Sequence, residues 1–368
     1  MSNYQDILNL KEVPLASISH YAMHFEALSR GLTVSILNKN NSEYEKYFLE
    51  RDKVGRVYKI SNNDKIYLFN TSRLINNGKK PNLSKIILSE LLKNNGFNFI
   101  DSMVFLHKSK IDFSLIEKKL NKPWVVKPTN GSMGNNVFCD LDSEIDLKNS
   151  ISKQTGDFII EHYISNADEY RVYVVNCKVI GFCKRIDPFV IGDGVNTLKQ
   201  LVDFKNKIRS EKKLSKIVIS PKVDIEKIPK LNEKVIVNNV KGRSLGADIE
   251  VVKDGLDIKI VNEIERFSKL FHENFVLGFD ILVKKNELFI LEINTRPQLS
   301  SGLFPDYGPQ LDIPSEILNN LFGTSERKKI NFEEFVNSYR FIKKNIGINW
   351  KQIDYSYKNG ELIKCIQV

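Results

Sequence analysis

Long apolar runs are missing from this chain of 368 residues. None approaches the roughly 20 residues that a membrane span needs, so no membrane partner is expected. Cysteine is scarce: Cys139, Cys177, Cys183 and Cys365 show no paired spacing and no CxxC. That excludes a disulfide framework and points to reduced thiols in a cytoplasm. The five histidines are scattered and make no zinc pattern. The N-terminus, MSNYQDILNLKEVPL, lacks a basic segment followed by an apolar core and does not read as a secretory signal. No internal repeat is visible. GxxxxGK[ST] is absent, which excludes a P-loop. No aromatic-interleaved basic stripe and no nucleic-acid motif accompany the net charge of +10, so nucleic acid is disfavoured. The charge permits an acidic partner, but the lysines are spread through Asn/Lys/Ile-rich sequence, as on an ordinary solvated surface.

What is present is a soluble-type composition, 42% hydrophobic and 27% charged, on a chain long enough for two or three packed units. Its most informative stretch is Gly278-Phe-Asp280-Ile-Leu-Val-Lys-Lys-Asn-Glu-Leu-Phe-Ile-Leu-Glu292-Ile-Asn294. Two apolar strands joined at Lys285-Asn286-Glu287 predict a hairpin. With the turn centred on Asn286, Asp280 faces Glu292, and Asn294 joins them on the same side. Phe279, Ile281, Leu291 and Ile293 are expected in a core on the other side. Opposed like charges destabilise a hairpin, so a compensating cation is expected. Mg²⁺ suits it, because it takes one or two carboxylates and completes its shell with phosphate oxygens and water. The alternative is a solvated hairpin edge. The apolar runs around the carboxylates favour the metal.

The rest of the chain divides by pattern. A helix is expected over His20 to Arg30, then strands over Leu32–Leu37 and Lys65–Phe69. A second helix is expected from Asn82 to Asn95, with Ile86, Ile87, Leu91 and Leu92 inward and Gly96 as its cap. Strands follow at Trp124–Lys127, Val137–Cys139, Phe158–His162, Tyr170–Val175 and Val179–Lys184. Gly192-Asp193-Gly194 ends them, and a basic helix runs from Thr197 to Glu211. A helix over Leu256 to Asn274 feeds the hairpin. The last forty residues read as basic and irregular, with a hairpin at Lys358-Asn359-Gly360-Glu361.

Lys127 ends an apolar strand just before the glycine-bearing loop Thr129-Asn-Gly131-Ser132-Met133-Gly134. Such a loop lets backbone approach a ligand and offers N–H groups to phosphate, with the lysine as a point charge. A plain hairpin turn is the competing reading. Glu161-His162-Tyr163-Ile164 ends another strand and suits an adenine hinge, with Glu169 for ribose hydroxyls; an ordinary surface strand and loop would look the same.

The order of these features, with Tyr170-Arg171-Val-Tyr-Val-Val, Lys184-Arg185-Ile-Asp-Pro-Phe-Val-Ile-Gly192-Asp-Gly194, Ile228-Pro-Lys-Leu-Asn-Glu-Lys-Val235 and Lys241-Gly-Arg243-Ser-Leu-Gly246-Ala-Asp248, resembles the ATP-grasp superfamily. Residues 20–320 are most similar to the ligase module of cyanophycin synthetases and bifunctional glutathione synthetases. The resemblance implies a mixed α+β and α/β chain with two α+β subdomains gripping ATP. It implies an N-terminal α/β pre-ATP-grasp domain at 1–80, a helical linker at 81–122, a small lid subdomain at 123–190, a C-terminal subdomain at 191–324, and a basic extension at 325–368. It further implies that Lys85 and Lys127 contact the α- and β-phosphates, and that Ser132, Met133 and Gly134 form a lid. Glu161, His162, Tyr163 and Ile164 would hold adenine, Glu169 the ribose, and Asp280, Glu292 and Asn294 two Mg²⁺ ions, with Mn²⁺ as an alternative. Arg185 would neutralise the transferring phosphoryl group.

The implied activity is an ADP-forming carboxylate–amine ligase that makes an amide bond through an acyl phosphate. Small-molecule or peptide carboxylates and amines are the implied substrates. An acidic or carrier-borne substrate and a homodimer are both compatible. The loop at 241–248 and Thr295-Arg296-Pro-Gln298 depart from the relatives' patterns, so substrate identity does not transfer. Arg296 and Arg243 are carboxylate clamps or structural ion pairs. A nucleotide-binding regulatory or scaffolding protein without turnover, and a module for an acidic polymer, are the competing functions.

Overall fold

The computed structural model describes residues 18–43, 57–69, 84–131, 134–212, 214–252, 255–295, 297–331, 333–337 and 350–367. In chain order the N-terminal part has α1 (Ile18–Ser29), β1 (Thr33–Leu37), β2 (Val57–Ser61), β3 (Ile66–Phe69) and α2 (Lys85–Asn94). Next come β4 (Ser102–Phe105), α3 (Phe113–Lys119), β5 (Trp124–Pro128), β6 (Phe138–Leu141), α4 (Glu144–Ile151) and β7 (Phe158–His162). Then follow β8 (Asp168–Val175), β9 (Lys178–Ile186), β10 (Phe189–Ile191), α5 (Leu198–Glu211), β11 (Lys234–Ile236) and β12 (Asp248–Glu250). The chain continues through α6 (Ile258–Ser268), β13 (Val276–Lys284), β14 (Glu287–Asn294), α7 (Ser300–Leu303), α8 (Ile313–Phe322), β15 (Gln352–Lys358) and β16 (Glu361–Gln367).

These strands make three main sheets, ordered β16-β15-β1-β2-β3, β4-β7-β5-β6 and β12-β9-β8-β13-β14, and a two-stranded ribbon β10-β11. The central sheet β12-β9-β8-β13-β14 is the platform. One of its faces buries Tyr170, Val172, Val174, Phe279, Ile281 and Ile293 against α2 and α6. α6 is built for that contact: Ile260, Ile264 and Phe267 recur at helical spacing and are buried. The other face packs Tyr173, Val175 and Cys183 against α1, α7, α8 and the N-terminal sheet. The β4-β7-β5-β6 sheet has its own core of Trp124, Val126, Phe158 and Ile160 under α3 and α4. Alternation then turns Val125, Lys127 and Glu161 to its opposite face.

Three expectations change. The division at residue 190 cuts a sheet, because β8 and β9 pair with the 276–294 hairpin and not with β5 or β7. The C-terminal region is not an irregular tail: β15 pairs with β1 and with β16, closing the N-terminal sheet. Its hairpin turns at Asn359-Gly360, both at positive φ, as the sequence suggested. In α2 the buried residues are Leu88 and Leu92, whereas Ile86 is exposed. The helix starts at Lys85, and its phase follows the packing against the central sheet.

Because Trp350 is 3% exposed in the core shared by the N-terminal sheet and α1, Trp350→Ala should lower stability by about 3–5 kcal/mol. Chemical denaturation followed by circular dichroism would check it.

Candidate active site

A cavity of about 220 Å³ lies between the cavity-facing side of β5 and β7 and the polar end of the central sheet. One wall carries Lys127 and Glu161, joined by Lys85 from the first turn of α2. The other carries Glu169, Arg185, Asp280 and Glu292, and residues 239–242 close a third side.

The opposed carboxylates depend on a β-bulge. The turn is a two-residue one, Lys285-Asn286, with both residues at positive φ, so Lys284 pairs with Glu287 and Ile281 with Ile290. That register would put Asp280 opposite Leu291. The register shift after Asp280 inserts one residue, and Asp280 faces Glu292 while Gly278 faces Asn294. The expected core role of Leu291 is therefore wrong: Leu291 lines the cavity, and Ile290 takes its place in the core.

Asp280 sits between two guanidiniums. Arg171 donates from Nε to Oδ1 at 2.6 Å and from Nη2 to Oδ2 at 3.0 Å; Arg185 donates from Nη2 to Oδ1 at 2.8 Å. Burial alone would raise its pKa, but Arg171 and Arg185 outweigh it and hold the carboxyl below its ordinary value. Arg185 also reaches Glu169 from Nη1 at 2.5 Å, where burial exceeds the arginine's pull and leaves the glutamate raised. Glu292 is raised as well, by burial and by Asp280, with Lys85 opposing. Lys85 is lowered by burial and by Lys127, and its Nζ donates to the Pro128 carbonyl at 3.1 Å. Cys139 lines the same cavity, its thiol pushed up to about 12 chiefly by burial, so it stays protonated and is a poor nucleophile.

Most of the expected residues converge here. Lys85, Lys127, Glu161, His162, Tyr163, Ile164, Gly134, Glu169, Arg185, Asp280 and Glu292 all line the cavity. Some carry bonds that the sequence did not reveal. Glu161 is held by Lys127 at 2.5 Å, and the Tyr163 N–H is spent on the Pro123 carbonyl at 2.8 Å. At the strand end it is the Ile164 N–H that finds no acceptor among the described residues. Arg243 is not in the cavity wall: it pairs with Asp306, whose carboxylate also accepts the Ile249 N–H at 2.7 Å. That is the structural ion pair, and the clamp is not seen. Ser132, Met133 and Arg296 lie outside the described residues. Lys241, which the sequence left without a role, lines the cavity and donates to the Ala167 carbonyl at 3.0 Å. Only its place in a loop rich in small residues hinted at it.

Among the described residues no three His, Cys, Asp or Glu side chains group to hold a metal. Two carboxylates and an amide can still suit a hard cation. Glu292 and Asn294 make no side-chain hydrogen bond or ion pair with a described residue, and Glu292 faces a carboxylate of like charge. Oxygen donors with uncancelled negative charge fit Mg²⁺.

The sheet arrangement and this two-walled cavity define an ATP-grasp fold. Residues 84–190 match the model of the RimK-like ATP-grasp domain. The chain is similar to the glutathione biosynthesis bifunctional protein GshAB of Listeria welshimeri, with 27% identity over 81% of this chain and 40% of that protein. It is also similar to cyanophycin synthetase of Crocosphaera subtropica, with 22% identity over 54% of this chain and 26% of that protein. Among solved structures, a bifunctional glutathione synthetase from Pasteurella multocida superposes with a TM-score of 0.53 at 18% identity, over 83% of this chain and 43% of the other. The chain thus spans about two fifths of the length of the bifunctional relatives.

A carboxylate whose pKa is raised by folding destabilises the folded state once ionised. The cost is absent below the ordinary glutamate value, grows as pH rises towards the folded pKa, and is complete above it. Glu292→Gln should therefore melt at a higher temperature than the parent at pH 7. The difference should shrink as pH falls towards the ordinary glutamate value. Thermal melts across that range would show it, and a lower melting temperature at pH 7 would contradict it.

Proposed function

We propose that the protein is an ADP-forming carboxylate–amine ligase that makes an amide bond through an acyl phosphate, acting on an amino acid, a peptide or a related small molecule. The observation that carries this reading is the cavity itself. Two lysines on one wall face Arg185 and an opposed carboxylate pair on the other, with Arg171 paired to Asp280, a distribution suited to a polyphosphate carried with a cation.

The chemistry explains the charges. Activating a carboxylate with a phosphoryl donor brings two anions together, so their repulsion must be cancelled before the oxygen can attack phosphorus. Lys85 and Lys127 would neutralise phosphate oxygens, and Arg185 would stabilise charge on the group in flight. The Ile164 N–H and the cavity side of Glu161 to Ile164 would hold the base, with Glu169 at the ribose. Asp280, Glu292 and Asn294 would hold Mg²⁺, which when bound supplies charge neutralisation on phosphate oxygens. Lowering of the Lys85 pKa by burial and by Lys127 leaves a cation whose charge an incoming anion would stabilise. Gly131, Gly134 and residues 239–242 line the cavity, and exclusion of water there would protect an acyl phosphate from hydrolysis. Positioning of amine against that intermediate supplies much of the remaining rate.

ADP release would be measured against a panel of amino acids and dipeptides, with product mass determined for each active pair. Lys127→Ala and Glu292→Gln should each reduce ADP release by about two orders of magnitude or more, with unchanged circular dichroism. Near-parental rates in both variants would overturn these roles. Tight nucleotide binding without ADP release across the panel would instead mark a regulatory protein.

A further inference from the structure

Arg171 contributes to the site in a way that its position in the sequence does not disclose. It lies on β8 directly across from Asp280 on β13. An arginine in that place could stand away from the sheet; here it lies along it. An ideal Cβ added to Gly278 would be 3.2 Å from Arg171 Nη1, 3.6 Å from its Cδ and 2.6 Å from Pro297 Cβ. The side chain therefore crosses the bare Cα of Gly278, with Pro297 against the same spot. Lying flat is what lets Nε and Nη2 meet the two oxygens of Asp280 side by side.

That fork fixes the carboxylate plane, and the two oxygens are then unequal. Oδ1 accepts from Arg171 Nε and from Arg185 Nη2, whereas Oδ2 accepts only from Arg171 Nη2. A carboxylate oxygen has room for about two partners. Oδ1 is filled, and Oδ2 retains one acceptor position.

We propose that Arg171, seated over Gly278, is the positioning residue that presents Asp280 Oδ2 to the cation of this site. The proposal rests on the ligase reading above, in which Asp280 and Glu292 hold Mg²⁺. Gly278 serves it by having no side chain: a Cβ there would clash with Pro297 Cβ and press on Arg171 Nη1, crowding the guanidinium that aims Asp280. Arg185 touches Asp280 through a single nitrogen and is shared with Glu169, so it cannot fix the plane alone.

The test uses Mn²⁺ as the probe, with ADP present and no turnover, read by electron paramagnetic resonance and by calorimetry on the full chain. Arg171→Lys keeps the charge but loses the fork, and Gly278→Ala changes no charge but occupies the space. Each should weaken Mn²⁺ binding by about 10–100-fold while ADP affinity in the presence of a chelator stays within about twofold of the parent. Melting curves establish that the variants are folded, and if one fails to fold the other carries the test. Parental Mn²⁺ affinity in a folded variant overturns the proposal. So does an equal loss of ADP affinity with and without metal, which is the signature of a merely structural role. A parent protein that binds ADP and shows no metal dependence would sink the metal assignment itself, a result distinct from either of these.

Discussion

Two carboxylates facing each other across one antiparallel pair repel, and much of the site is arranged around that repulsion. Asp280 is kept ionised by Arg171 and Arg185. Glu292 is left with a raised pKa, because burial and Asp280 outweigh Lys85, Arg171 and Arg185. The pair is therefore lopsided, with one carboxylate held by two arginines and the other making no hydrogen bond or ion pair among the described residues. An arrangement of this kind costs stability without a cation and gains it with one. This is the usual signature of a functional site, where local energetics are poor because something else is meant to complete them.

The fold supplies the means. The central sheet divides its two faces between jobs: Tyr170, Val172 and Val174 anchor it to helices, while Glu169, Arg185 and Asp280 meet the cavity. Period-two alternation on β8 and β9 makes this possible without any loop. The same alternation on β5 and β7 puts Trp124, Val126, Phe158 and Ile160 into a core and Lys127 and Glu161 into the cavity. Behind this pair of walls the β10-β11 unit is tied to the platform through Asp248, which receives Lys205 at 2.8 Å and also pairs with Arg209. Residues 239–242, after β11, line the cavity. The two ends of the described chain meet in one sheet, where β15 lies beside β1.

How much of this was legible differs by scale. The hairpin at 278–294, the Lys127 strand and the Glu161 strand were all readable, because alternation of apolar and polar residues is a local property. The opposition of Asp280 and Glu292 was anticipated from a turn centred on Asn286, although the actual turn is Lys285-Asn286 and a bulge restores the pairing. A bulge leaves little trace in sequence, so Leu291 was misplaced while Asp280 was not. In α2 Leu91 and Leu92 pack inward as expected, whereas Ile86 is exposed and Leu88 enters the core, because Ile86 and Ile87 are as apolar as Leu88. Only the platform beneath the helix chooses among them.

The sequence by itself determined the family of fold, the order of its motifs and the residue types that gather around the cavity, since these follow from local patterning and from glycine, lysine and carboxylate spacing. Tertiary structure alone decided which charges meet. Arg171 and Asp280 are 109 positions apart, Arg185 and Asp280 are 95 apart, and nothing in either segment names the other. Register across β8, β9 and β13 put them in contact, and a glycine at 278 left room for the contact to form. The same holds for Arg243, whose partner Asp306 was set by packing of β12 against the 306–308 segment. Ion pairs of this range are solved by the fold as a whole, because a guanidinium finds its carboxylate only after both backbones have been fixed.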